Sequence, residues 1–354
     1  MRIRELRAKA REDGSNSKML LALPFFGLLV LSFVLETIPQ FITNELASSI
    51  VNCILSILAL IITVSGSYAL ITRYLKVIRK EEITSFTKEM FGSAIKNGWS
   101  VVWGIFKRVW VWILVEIIAC IMMVYGSVQV MGGITAAVRQ SSSGIVATPD
   151  LNVTLEASAI MFVGSIISII SSIKLAIESY KYTLTAFLKH DYPDKSTNEL
   201  LDKSVEMMDG NKAKAFVMPF TFIGWILLSI LVSVLIVALI SIPLVNFAET
   251  AVFDLFAGIV VYFILSFVCA YLLMTYTEFY LERNPLEIYN ADYVKPETNP
   301  SKYKKIMALI ICLIILVPFI IGIIEGYMAK DIANHSVSSL NSLVEQAESY
   351  QLNQ

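Results

Sequence analysis

Long apolar runs alternate with short basic segments along this chain, and the alternation predicts its elements. Seven runs approach the roughly 20 mostly apolar residues that a bilayer-spanning helix needs. They are 19–37, 48–72, 109–131, 156–176, 214–241, 251–277 and 306–326. Lipid cannot satisfy backbone N–H and C=O groups, so each run is predicted as a helix. Between the runs, three stretches carry apolar residues at helical spacing opposite charged ones. Ile3, Leu6 and Ala10 form the first such stripe, and Phe86, Met90 and Ala94 the second. The third holds Leu201, Val205 and Met208, after a capping box at Ser196-x-x-Glu199 and before a glycine stop at Gly210. The outer connection 132–155 is rich in Gly, Ser and Thr and reads as a loop.

One unit therefore recurs over about 1–75, 84–188 and 196–281: an inner amphipathic helix, then a helical hairpin through the membrane. Each unit ends alike, at Thr72-x-Tyr74-Leu75, Thr185-x-Phe187-Leu188 and Thr277-x-Phe279-Tyr280. The fold class read from the pattern is all-α, a polytopic helical bundle of about seven spans. It divides into a six-span domain, 1–283, and a remainder, 284–354, that holds an inner linker, the seventh span and an external tail.

Charge sorting orients the bundle. Of 28 lysines and arginines, 26 fall in 1–18, 73–108, 174–214 and 282–305, leaving Arg139 and Lys330. Basic loops stay on the cytoplasmic side, so the N-terminus is predicted inside and the C-terminus outside. The N-terminal basic segment and the run after it resemble a signal peptide. No small-x-small site follows at 36–41, so the run is read as a retained first helix.

Composition agrees: 56% of residues are hydrophobic and mean hydropathy is +0.69. The net charge of −1 adds nothing, because the charge is sorted by side. No basic run lies outside the loop pattern, so nucleic acid is not expected as a partner. Cys53, Cys120, Cys269 and Cys312 sit singly in apolar runs and read as packing residues. His190 and His335 lack metal-ligand spacing, so no metal and no cofactor are expected. Phosphate-binding, nucleophile-elbow and zinc-protease motifs are absent, and no catalytic residue is assigned.

Inside the spans, one charge stands out. Glu116 lies near the middle of the third run, where a carboxylate is costly unless compensated. Proton coupling, cation binding and pairing with a base are its functional readings; a neutral carboxyl that locks helix packing is the structural one. Gly164, Ser168 and Ser172 repeat at fourfold spacing in the fourth run, as helix packing or as a polar path. Lys203, Glu206, Asp209 and Lys212 form either a solvated face or a docking surface for a cytoplasmic partner.

Several stretches carry a family resemblance. They are Ile3-Arg4-Glu5-Leu6-Arg7-Ala8-Lys9-Ala10-Arg11-Glu12, then Asp191-Tyr192-Pro193, then Lys203 to Lys212 followed by Phe222-Ile223-Gly224-Trp225, and finally Tyr271, Thr275, Phe279 and Tyr280. In order and spacing the chain resembles the integral membrane family called domain of unknown function 975, found mainly in low-GC Gram-positive bacteria. It departs at two turns. Gly14-Ser15-Asn16-Ser17 stands for Gly-Asn-Trp, and Ile170-Ser171-Ser172-Ile173 stands for Ile-Pro-Gly-Ile. The resemblance implies a fold and no activity. The leading expectation is a non-enzymatic component of a bacterial cell membrane, transport-associated or permease-like. The alternative is a scaffold that binds other envelope components. The lipid bilayer is the expected partner, with a cytoplasmic or membrane protein as a second.

Overall fold

A computed structural model describes residues 2–42, 44–142, 151–241, 251–283 and 302–313. The described chain is helical and contains no strand. Its helices are α1 (Ile3–Asp13), α2 (Lys18–Thr37), α3 (Glu45–Arg79), α4 (Phe86–Phe91), α5 (Ser93–Ser142) and α6 (Leu151–Tyr180). They continue as α7 (Thr185–Asp191), α8 (Thr197–Met208), α9 (Lys212–Phe220), α10 (Ile223–Ser241) and α11 (Ala251–Leu281). Contacts divide the chain into two units, Met1–Pro300 and Ser301–Gln354. In the second unit, residues 302–313 form a helix that includes the start of the predicted seventh span. Residues 314–326 of that span and the predicted tail lie outside the described residues.

Six of the described helical segments are long and apolar enough to cross a bilayer: Lys18–Thr37, Leu46–Arg79, Ser93–Gly132, Glu156–Asp191, Lys212–Ile240 and Phe256–Leu281. Large apolar side chains on them face outward, as lipid allows. Ile117, Ile121 and Val124 of α5 and Leu227, Leu231 and Leu235 of α10 are all exposed. The first and last of the six pack together through aromatic edges, Phe26 against Phe263 at 5.3 Å and Phe33 against Tyr262 at 5.2 Å. The order of one short helix and then two crossing segments recurs three times, led by α1, α4 and α8.

Helix lengths differ from the hydrophobic runs. The 35-residue α3 and 50-residue α5 extend about 52 and 75 Å, well beyond a 30 Å hydrocarbon layer. The predicted loop at 132–155 is partly helix, because α5 continues to Ser142 and α6 begins at Leu151. Gly132 and Gly133 do not end α5; a glycine within a helix costs only about 1 kcal/mol, and helix-compatible residues follow. The stretch 84–98 is two helices, broken at Gly92, and not one.

The core sits at one end of the bundle, the end that carries α1, α4, α7, α8 and α9. Tyr74, Tyr280, Phe187, Phe222 and Phe279 are its largest fully buried side chains. All nine specified residues of the three repeated exits are buried. Local signals position the small helices there. Glu5 accepts the backbone N–H of Arg2 at 2.7 Å and starts α1, which buries Ile3, Leu6 and Ala10. Ser196 accepts the N–H of Glu199 at 3.3 Å and starts α8. Gly210 follows α8 with φ 74°, a value that side chains with a Cβ resist. The apolar side of α8, with Leu200, Leu201, Ser204, Met207 and Met208, is buried. Leu201 packs with Val109 and Tyr182, so this stripe covers the chain's own bundle.

Candidate functional site

Charged side chains tie the ends of these helices into a platform. Arg79, the last residue of α3, meets Asp191, the last residue of α7. Its Nη1 donates to Oδ1 at 2.7 Å and its Nη2 to Oδ2 at 2.8 Å. The Tyr280 hydroxyl of α11 donates to the same Oδ2 at 2.6 Å, and the Tyr280 ring stacks on Phe187 at 5.0 Å. The Asp191 side chain is only 1% exposed. A carboxylate removed from water needs this many donors, and a bidentate arginine supplies charge and direction together.

A second pair joins α1 to α11. Lys9 Nζ lies 2.7 Å from Glu278 Oε2, and the Glu278 side chain is fully buried. The hydrogen bond to Glu278 holds the Lys9 ammonium above its ordinary value, with burial acting against it. Lys214 of α9 donates to Glu282 at 3.0 Å. The Arg283 guanidinium lies 3.5 Å from the Phe279 ring centroid, close enough for a cation–π contact. In α4, Glu89 takes Lys76 at 2.8 Å and Arg73 at 3.6 Å. These contacts link α1, α3, α4, α7, α9 and α11 at one end.

Two cavities open in the platform. A polar one of about 220 Å³ is lined by Tyr68, Lys76, Glu89, Asn97, Lys189 and His190, among others. Lys189 donates to the carbonyls of Pro193 and Lys195, both at 2.9 Å, and so closes the turn after α7. An apolar one of about 350 Å³ lies among α1, the start of α2, the α9–α10 junction and α11. Arg7 lies beside it, its guanidinium 4.6 Å from the centroid of Phe222, a lining ring. Arg7 Nη1 donates to the Thr221 carbonyl at 3.0 Å.

The residues singled out from the sequence fall in three places. Glu116 of α5 faces α6. Ser168 donates to Oε1 at 2.6 Å, and Ser171 donates to Oε2. Ser172 flanks the same carboxyl but is exposed. Gly164 allows the close approach of the two helices. A Cβ there would lie 3.1 Å from the Ala119 carbonyl oxygen and 3.1 Å from Met122 Cβ. Lys203 donates to Glu206 at 2.9 Å on the outer side of α8, where Glu206 and Asp209 are exposed. Lys212 opens α9 and is half-buried. The structure thus brings Glu116 to Gly164 and Ser168 in one hairpin, and sets the four α8–α9 residues apart from it. The cysteines do not share the packing role expected of them: Cys53, Cys120 and Cys312 are exposed along apolar helices, and Cys269 is half-buried.

Sequence reasoning did not find Asp191, Glu278 and their partners as a network. A usable signal existed, since both acids lie in or beside the repeated exits, where the flanking helices end.

These features define a class: a multi-pass, all-α membrane protein with an internally paired platform at one end of the bundle. The family described as "Protein of unknown function (DUF975)" matches residues 1–286, and the chain belongs to that family. No curated protein and no solved structure matches it.

Proposed function

We propose that this protein is a non-enzymatic scaffold of the bacterial cell membrane, whose platform faces the cytoplasm and binds another envelope protein. The N-terminus is cytoplasmic and the C-terminus extracellular. The carrying observation is the cross-linking of six platform helices by ion pairs and the Tyr280–Asp191 hydrogen bond, with the buried carboxylates of Asp191 and Glu278 among them. A carrier must part such contacts in each cycle, and breaking a buried pair costs about 3–5 kcal/mol. A scaffold keeps them. The outer side of α8, with Asp202, Lys203, Glu206 and Asp209, is the surface available to a partner. Sorting of 26 of 28 basic residues supports the orientation.

The test is photo-crosslinking from Glu206 in native membranes. A discrete protein adduct is expected, and charge reversal at Lys203 and Lys212 should weaken it while insertion stays intact. Adducts to lipid alone would sink the proposal. A second reading, transport-associated or permease-like, has one observation in its favour: the carboxyl of Glu116 lies within a crossing helix and is held by serines.

A further inference from the structure

We infer that the apolar cavity beside α1 is a binding site for one anionic phospholipid of the cytoplasmic leaflet. Its lining is divided in a way that matches such a molecule. Leu21, Phe222, Trp225, Phe267 and Met274 give an apolar wall, and Arg11 and Lys18 supply two cations. At about 350 Å³ the cavity falls within the range of ligand sites, near its lower end. It holds a segment of an acyl chain and leaves the remainder in the bilayer.

The cavity lies where a headgroup would be. Lys18 is the first residue of the first crossing helix, and Trp225 is the third residue of α10. Tryptophan, tyrosine and lysine gather at the headgroup level. Around them Leu20, Leu23, Ile223 and Trp225 are exposed, so the cavity borders lipid-facing surface.

Charge selects the class of lipid. Both cations are exposed. Arg11 Nε donates to the Tyr271 hydroxyl at 3.2 Å, a contact that brings no carboxylate to the guanidinium. Arg7 adds positive potential beside Phe222, and its buried Nε has no hydrogen-bond partner among the described residues. Of the nearby acids, Glu278 is paired with Lys9, and Asp13 lies beside that pair. Glu5 and Glu12 are the remaining carboxylates on α1, both exposed, and Glu5 is engaged by the Arg2 backbone N–H at the start of the helix. A basic pocket between membrane helices on the cytoplasmic side suits an anionic headgroup. Three of the stretches that carry the family resemblance, around Arg11, Trp225 and Tyr271, meet at this cavity. The inference needs the cytoplasmic orientation and not the scaffold.

The test is native mass spectrometry of the full chain released into mild detergent. It is titrated with phosphatidylglycerol, with phosphatidylcholine of the same acyl chains, and with phosphatidylglycerol plus excess inorganic phosphate. One phosphatidylglycerol should bind at least tenfold more tightly than phosphatidylcholine. Near a membrane surface each cation accounts for about a fivefold difference, so Arg11→Gln with Lys18→Gln should weaken phosphatidylglycerol about thirtyfold. Phosphatidylcholine should be unaffected, and circular dichroism should match the parent because both side chains are exposed. A second variant, Val268→Trp, fills the cavity and should reduce both lipids. Equal binding of the two lipids by the parent overturns the inference. So does full phosphatidylglycerol binding by the charge variant, or displacement by inorganic phosphate, which would mark a soluble-anion site. None of these outcomes bears on crosslinking from Glu206, so the two proposals fail separately.

Discussion

Replacing Asp191 with asparagine should loosen the platform by about 3 kcal/mol. Three hydrogen bonds end on this carboxylate, two from Arg79 at 2.7 and 2.8 Å and one from Tyr280 at 2.6 Å. Asparagine keeps one acceptor but turns an NH₂ group toward a guanidinium that only donates. Hydrogen bonds to charged groups contribute about 1.5–3 kcal/mol each, and breaking a buried pair costs about 3–5 kcal/mol. The Arg79 side chain is 19% exposed and regains some water, which favours the lower end of that range. Reversible unfolding in mixed micelles with rising dodecyl sulfate, followed by tryptophan fluorescence, measures the loss. A double-mutant cycle with Arg79→Met should give a coupling of at least about 2 kcal/mol, because the two groups share one network. The reasoning is refuted if Asp191→Asn lies within about 0.5 kcal/mol of the parent, or if the two changes simply add.

Asp202 is the contrasting case. Arg108 holds its carboxyl below the usual carboxylate value by a hydrogen bond at 2.6 Å, yet the Asp202 side chain is 67% exposed. Asp202→Asn should therefore cost less than about 1 kcal/mol in the same unfolding assay. Because its folded value is depressed, the pair's contribution is complete above the unfolded value near 4. It disappears as pH falls through the folded one, so a pH titration of the parent–variant difference should approach zero only in acid. Glu116→Gln should leave unfolding unchanged, since its carbonyl accepts from one serine and its NH₂ donates to the hydroxyl oxygen of the other, whereas Glu116→Leu should lower stability by leaving both hydroxyls without a partner there. Gly164→Leu should separate α5 from α6 and cost about 1–3 kcal/mol, read as faster proteolysis of the hairpin. In a cysteine-free background, an impermeant thiol reagent on intact cells should label Leu46→Cys and Thr135→Cys but neither Ser15→Cys nor Glu206→Cys; the reverse pattern would invert the topology.

Periodicity and charge made the crossing helices legible. Apolar runs of membrane length admit one kind of backbone, so all six described spans contain helix where sequence put it. Limits were less legible, because α3 and α5 leave the bilayer as helices and hydropathy follows the lipid and not the backbone. Single caps were readable, as Ser196 and Gly210 show, since each depends on its own few neighbours. The platform was not. Asp191 and Arg79 are 112 positions apart, and Lys9 and Glu278, in α1 and α11, are farther apart still along the sequence. No local pattern encodes which acid meets which base. For Glu116 the sequence showed a costly group, and the fold supplied its serines, Ser171 joining Ser168 and Ser172 around the carboxyl.

The scaffold claim rests on a platform that stays closed. Spin labels at Glu12→Cys and Glu206→Cys, both exposed, report the separation of α1 from α8 across it. Pulsed electron–electron resonance in proteoliposomes should give one narrow distance distribution, the same with and without an imposed proton gradient. A second, longer population that grows with the gradient would show the platform opening and would contradict the scaffold in favour of the carrier.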